Sequence, residues 1–169
     1  SYGLAKLIAE HGLRLVARRT PMRTIALRIA NPYGPGQRVK AGQGFIAAAC
    51  QAAVTGGALT IWGDGATIRD FVYINDVADS FVQSLRASAP PAVCNIGSGH
   101  GMSLLGVCRE IERLGSTEIA IDFQRGRSVD IPANVLAIDR AARDLGWTPK
   151  IGFAAGLAET LDSWRRAQQ

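Results

Sequence analysis

Strand-like and helix-like segments take turns along this chain, and that alternation limits the fold more than any other feature. TIALRIA (24–30), rich in β-branched and apolar residues, reads as a buried strand. GFIAAACQAAV (44–54) reads as a helix stopped by Gly56–Gly57. ALTIWG and RDFVYI predict two more strands, and DVADSFVQSLRA a helix ended by Pro90–Pro91. AVCNIG predicts a strand, SLLGVCREIERLG a helix capped by Ser103, and EIAIDF a further strand. Apolar spacing at Leu4, Leu7, Ile8, Leu15 and Val16 predicts a helix over 3–16, and DRAARDLGW and FAAGLAETLDSWRRAQQ predict two near the other end. The class is therefore α/β. NPYGPGQR, with its prolines and glycines, reads as turns, RGRSVDIP as a loop, and Asp70 and Asp76 as turn and cap residues.

A length of 169 residues suits one well-buried domain. The net charge of +5 favours an anionic partner. Because the arginines are dispersed with few aromatics among them, a phosphorylated small molecule fits better than nucleic acid. Cys50, Cys94 and Cys108 are odd in number and form no C-x-x-C, and the two histidines are His11 and His100, so neither a disulfide framework nor a metal site is expected. No apolar run reaches the length of a membrane span and no signal peptide is visible, so no membrane contact and a cytoplasmic location are expected. With no initiator Met and helical spacing from the outset, the chain reads as a piece of something longer.

Glycines 97, 99 and 101 follow a strand and precede a helix, with Glu118 and Asp122 downstream where a dinucleotide fold places its ribose-binding acid. The spacing is G-x-G-x-G, however, and Met102 stands where a small residue is due. A tight turn into the Ser103-capped helix explains these glycines without a cofactor.

Tyr2 and Lys6 lie one helical turn apart. Alone, so short a pattern fits an amphipathic helix with both groups at its surface. It does not stand alone. LRIANPYGPGQ, then LTIWGDGATIRDFVYINDVADS, with YGLAK before them and CNIGSG and RSVDIPANVLAIDRAARDLGWTP after them, resembles the NAD-dependent epimerase/dehydratase family. These are extended short-chain dehydrogenases acting on nucleotide sugars, and the resemblance runs in order from Tyr2 to about Trp164.

The resemblance implies the C-terminal part of an extended short-chain dehydrogenase Rossmann-type fold with its small α/β substrate-binding domain. Residues 1–30 would be the catalytic helix and following strand of the NAD-binding domain. Residues 31–169 would be mainly substrate-binding, with segments around 69–96 returning to the Rossmann sheet. Tyr2 and Lys6 would be the catalytic pair, with NAD held mostly by a segment before Tyr2. A phenol of pKa roughly 10 is a poor base at neutral pH, and an ammonium one turn away favours its phenolate. Lys6 would also hold the nicotinamide ribose. Asn31, Arg69 and Arg127 would bind the diphosphate, for which guanidinium supplies planar, permanent charge. Asp130, closing an R-x-x-D pattern with Arg127, would lie near the ribose, Trp62 against the base, and Gly44 and Phe45 beside diphosphate and base. A core Trp62, a turn Asn31 and solvated arginines are the plain alternatives. Ile29 and Ala30 replace aromatics common in the 4-epimerases, which argues against strict UDP-galactose/UDP-glucose identity. The implied partner is a UDP- or dTDP-hexose, and the intact protein would be a homodimer. A dehydratase, decarboxylase or reductase of the same family, or a non-catalytic nucleotide-sugar binding module, are the competing functions.

Overall fold

The structure, a computed structural model, describes residues 2–39, 44–127 and 130–168, and of Tyr2 the backbone alone. The chain runs α1 (Tyr2–Arg19), β1 (Ala26–Ile29), β2 (Asn31–Tyr33), α2 (Phe45–Thr55), β3 (Ala58–Trp62), β4 (Ile68–Tyr73) and α3 (Ile74–Arg86). It continues through β5 (Val93–Ile96), β6 (Gly101–Ser103), α4 (Leu104–Gly115), β7 (Ala120–Gln124), β8 (Ala133–Asn134), α5 (Asp139–Leu145) and α6 (Phe153–Arg166). The mixed α/β class read from the sequence holds.

Local signals explain most boundaries. The Ala-rich α2 stops at Gly56, whose left-handed conformation lets its N–H donate to the Ala52 carbonyl. Ser103 caps α4 as expected, its hydroxyl accepting from Gly106 N at 3.0 Å.

β4 is the centre of the fold. Its Phe71–Tyr73 half pairs in parallel with Asn31–Tyr33 of β2. Its Ile68–Asp70 half pairs antiparallel with β6, and Ile68–Arg69 pairs in parallel with β8. Two separate parallel pairs flank this sheet: β1 with β5, Ala26 opposite Val93, and β3 with β7, Trp62 opposite Gln124. Successive β4 side chains point to opposite faces. Phe71 and Tyr73 join a core built from α2, β3, α4 and α6, while Val72 joins a second core of Cys94, Ile96, Ala141, Leu145 and Trp147. In the first core Tyr33 packs edge-on to Tyr73 with ring centroids 5.6 Å apart and donates its hydroxyl to the Phe153 carbonyl at 3.1 Å.

Three expectations are corrected here. Asn-Pro-Tyr is a strand and not a turn, because β4 supplies its partners; the exposed Pro32 is tolerated since β2 lies at the sheet edge. Asp76 does not cap α3, which begins earlier at Ile74. It is buried, and its carboxylate accepts from Lys150 N and Ile151 N at 3.1 and 3.0 Å. Asp70 is not a turn residue but a fully buried member of β4.

α1 is held down chiefly by charge. Arg28 on β1 grips Glu10 through two hydrogen bonds of 2.7 and 2.8 Å, and Thr24 donates to the Leu13 carbonyl. Leu4, Leu7, Ile8 and Leu15 on this helix face outward. Among the described residues, no helix is long and apolar enough to cross a membrane, and no cluster of His, Cys, Asp or Glu could hold a metal ion.

Candidate functional site

Asn31 opens β2 opposite Phe71, and its side-chain amide donates to the Asp70 carbonyl at 2.9 Å. One residue before Asp70 stands Arg69, half-buried, with its guanidinium engaged to the backbone. A single nitrogen of that group donates to the carbonyls of Ile68 and Ile131, at 2.8 and 2.7 Å. Arg69 thus fastens the returning 131–136 segment.

Trp62 ends β3, and Arg127 follows β7. The parallel pairing of these strands carries both to the same end, where Gly63 N donates to Gln124 O at 2.9 Å. The Arg127 guanidinium lies over the Trp62 ring, 3.9 Å from its centroid, a cation–π stack. Trp62 is 43% exposed, so it is not a core residue. The N–H of exposed Asp130 donates to the Arg127 carbonyl at 3.1 Å, which keeps the two residues close. The structure thus brings Arg127 onto Trp62 in one grouping, and Asn31 and Arg69 onto β4 in another.

Gly44 precedes α2 with φ of 77°, a left-handed conformation that glycine adopts without strain, and Phe45 packs half-buried against the larger core. Tyr2 and Lys6 stand on α1. Lys6 is exposed, and the side chain of Tyr2 lies outside the described residues, as do Ser128 and Val129 of the predicted 125–132 loop. The hydrogen bonds linking Asn31 and Arg69 run through β4 and the 131–136 segment, whereas those tying down α1 run to β1 and its approach.

Sequence reasoning missed the residue on which this arrangement turns. The Asp70 carboxylate accepts from Ser98 N at 2.7 Å and Ser98 Oγ at 2.6 Å through one oxygen, and from Gly99 N and Leu136 N, both at 3.2 Å, through the other. The glycine-rich 97–101 loop is therefore wrapped around a carboxylate. A Cβ on Gly97 would run into Asp70 Oδ2, so a close backbone approach explains that glycine. The available signal was a glycine cluster with the wrong dinucleotide spacing, downstream of an aspartate inside a strand.

Burial also sorts the remaining ionisable groups. It pushes the Tyr33 hydroxyl well above its ordinary range and that of Tyr73 to about 12, the latter helped by its hydrogen bond to the Glu159 carboxylate. Burial likewise raises the thiols of Cys50 and Cys108 to about 12 and about 11. All four are neutral and inert at neutral pH. A separate cavity of about 270 Å³ between β4, the 98–102 loop and the 149–153 segment is lined by Phe71, Tyr73, His100, Met102 and Phe153 among others, and includes none of the residues singled out from the sequence as substrate-binding or catalytic.

Comparison with known proteins places this fold in a family. The model of the NAD dependent epimerase/dehydratase family matches residues 1–97. The dTDP-4-dehydro-6-deoxyglucose reductase of Escherichia coli is 33% identical over 165 residues, 98% of this chain and 52% of that protein. The crystal structure of UDP-glucose 4-epimerase with UDP-glucose from Thermotoga maritima superposes with a TM-score of 0.94 at 28% identity, over 99% of this chain and 54% of that one. The UDP-glucose 4-epimerase of Thermus thermophilus in complex with NAD gives a TM-score of 0.84 at 27% identity, over 94% and 51% of the two chains. The chain thus spans about half the length of the relatives it matches. It belongs to the NAD-dependent epimerase/dehydratase family, whose extended short-chain dehydrogenase fold it shares in that half.

Proposed function

We propose that this chain is the C-terminal, substrate-facing part of an NAD-dependent nucleotide-sugar epimerase of the UDP-hexose 4-epimerase kind. The observation that carries the reading is the Arg127–Trp62 stack, an aromatic face for a base with a guanidinium on it; the Asn31 amide and the Arg69 guanidinium, both bonded to β4, add groups for a diphosphate. Asp130 serves the ribose, and Gly44 and Phe45 border the nucleotide. In this reading residues 1–30, with the β1–β5 pair, are part of the cofactor-binding sheet, and most of 31–169 forms the substrate domain.

Tyr2 is the acid–base group. Of the chain's three tyrosines, Tyr33 and Tyr73 are buried with hydroxyls engaged to a carbonyl and a carboxylate, which makes them poor proton acceptors. Tyr2 stands on a helix one turn from Lys6, whose ammonium favours the phenolate. It withdraws the proton of the sugar hydroxyl and returns it once the carbon centre has been reset. Bound NAD would supply the hydride chemistry of that reset. Tyr2 and Lys6 would hold its nicotinamide end, while the 97–101 glycine loop is wrapped around the Asp70 carboxylate instead.

A reductase is the second reading, favoured by the 33% identity to the Escherichia coli enzyme. The assay that separates them uses the protein at its full natural length. Interconversion of UDP-glucose and UDP-galactose without net change in nicotinamide absorbance supports the epimerase. Stoichiometric consumption of reduced nicotinamide with a 4-keto nucleotide sugar supports the reductase and overturns the first reading. The 169-residue chain alone is expected to turn over neither substrate, because the described residues include no glycine-rich dinucleotide loop to hold NAD in hydride-transfer geometry.

A further inference from the structure

We propose that Asp70 is a positioning residue: a buried carboxylate that sets the placement of Asn31, Arg69 and the segment leading from Arg127 and Asp130. This rests on the substrate reading given above. Asp70 is 0% exposed. Removing a carboxylate from water is strongly unfavourable unless donors replace the water, and four do so here. Three are backbone N–H groups drawn from two separate segments, Ser98 and Gly99 on one side and Leu136 on the other. Packing alone does not call for this arrangement, since apolar residues of similar volume often stabilise such a position equally well.

Its connections reach two of the residues assigned to the diphosphate, Asn31 and Arg69, and the segment that follows the third, Arg127. The Asp70 carbonyl receives the Asn31 amide. Arg69 is its chain neighbour and bonds the Ile131 carbonyl. Ile68 N donates to Pro132 O at 2.8 Å, so three successive β4 residues grip the segment at Ile131, Pro132 and Leu136. That segment directly follows Asp130, and slack in it would move that residue. Asp76 offers the natural comparison. It is nearly as deep and also bonded to backbone N–H groups, yet it secures the approach to α6, through Lys150 and Ile151, and its carbonyl holds the Trp147 indole N–H at 2.9 Å.

The test is UDP binding by calorimetry with parallel thermal melts, on the full-length protein. Asp70→Asn turns an NH2 towards two N–H donors and breaks about half of the node. UDP affinity is expected to fall about ten-fold or more, the scale of a lost charged hydrogen bond. Asp76→Asn is expected to lower the melting point while UDP affinity stays within about two-fold, as distant independent sites do. In the double variant Asp70→Asn/Arg69→Lys the two losses of affinity are expected to be less than additive, because Arg69 is already misplaced. Ser98→Ala removes one donor and carries the test should Asp70→Asn not fold, with affinity expected to fall several-fold. Lowered melting points for Asp70→Asn or Ser98→Ala with unchanged UDP affinity, while Arg127→Lys weakens binding, would make Asp70 a core anchor only. Unchanged affinity in Arg69→Lys and Arg127→Lys as well would remove the substrate reading, and this inference with it.

Discussion

Arg127 rests its guanidinium on the ring of Trp62, 3.9 Å from the ring centroid, although Trp62 ends one strand of a parallel pair and Arg127 follows the other. The stack orients a charge that would otherwise swing freely on an exposed side chain, and it leaves part of the indole open to a second flat group.

Arg127→Lys keeps the charge but loses the planar fork, and Trp62→Leu removes the platform. Each is expected to weaken UDP binding to the full-length protein by about 1–3 kcal/mol. Both sites are exposed, so stability should change by no more than roughly 0.5 kcal/mol. Calorimetry with thermal melts reads both quantities, and unchanged affinity in both variants would place the nucleotide elsewhere. Arg69→Lys is a less clean probe. Its guanidinium also bonds two carbonyls of the fold, so affinity and melting point are expected to fall together.

Replacing Tyr2 by Phe deletes one hydroxyl on α1. In the full-length enzyme kcat is expected to fall by about 10²–10⁴-fold, the usual contribution of a general acid–base group. UDP affinity and melting temperature should be unaffected. Near-normal kcat in the variant would mean that the spacing of Tyr2 and Lys6 is coincidental.

Alkaline pH offers a probe of the core that is independent of function. Cys50, Cys108 and Tyr73 have their pKa values raised by burial to about 12, about 11 and about 12. Each is neutral in the fold. Above roughly pH 9, where unfolded thiols ionise, the unfolded chain releases protons that the folded chain retains. Stability from these groups is therefore complete below that pH and is lost progressively towards about pH 12. Denaturant melts across this range should show the decline, and thiol alkylation at neutral pH should be slow until the protein unfolds. Rapid labelling of Cys50 or Cys108 in the folded protein would contradict their burial.

Local patterns carried the secondary structure well but said little about partners. RDFVYI announced a strand by composition, yet Asp70 inside it draws its donors from positions 28 to 66 residues away, which no short window can show. Asn-Pro-Tyr was misread for the same reason: proline and glycine are turn-formers, and only the pairing with Phe71–Tyr73 makes those residues a strand. The glycines of 97–101 were legible as a tight turn, but the need for Gly97 comes from a carboxylate on another strand. Trp62, Arg69, Arg127 and Asn31 were nameable only through family resemblance, because an exposed arginine or tryptophan has no periodic signature. What the sequence could not disclose was that Arg127 and Trp62 touch, or that donors from two distant segments converge on Asp70.

β4 sends Phe71 and Tyr73 into one core and Val72 into the other. Neither half can melt while the other keeps that strand in place, so the two cores are expected to unfold in a single cooperative step. The slowest amide protons to exchange should then be those of Phe71–Tyr73, opening only with the whole molecule. A ligand gripped at Asn31 and Arg69, on or beside this shared strand, would raise the stability of both cores together.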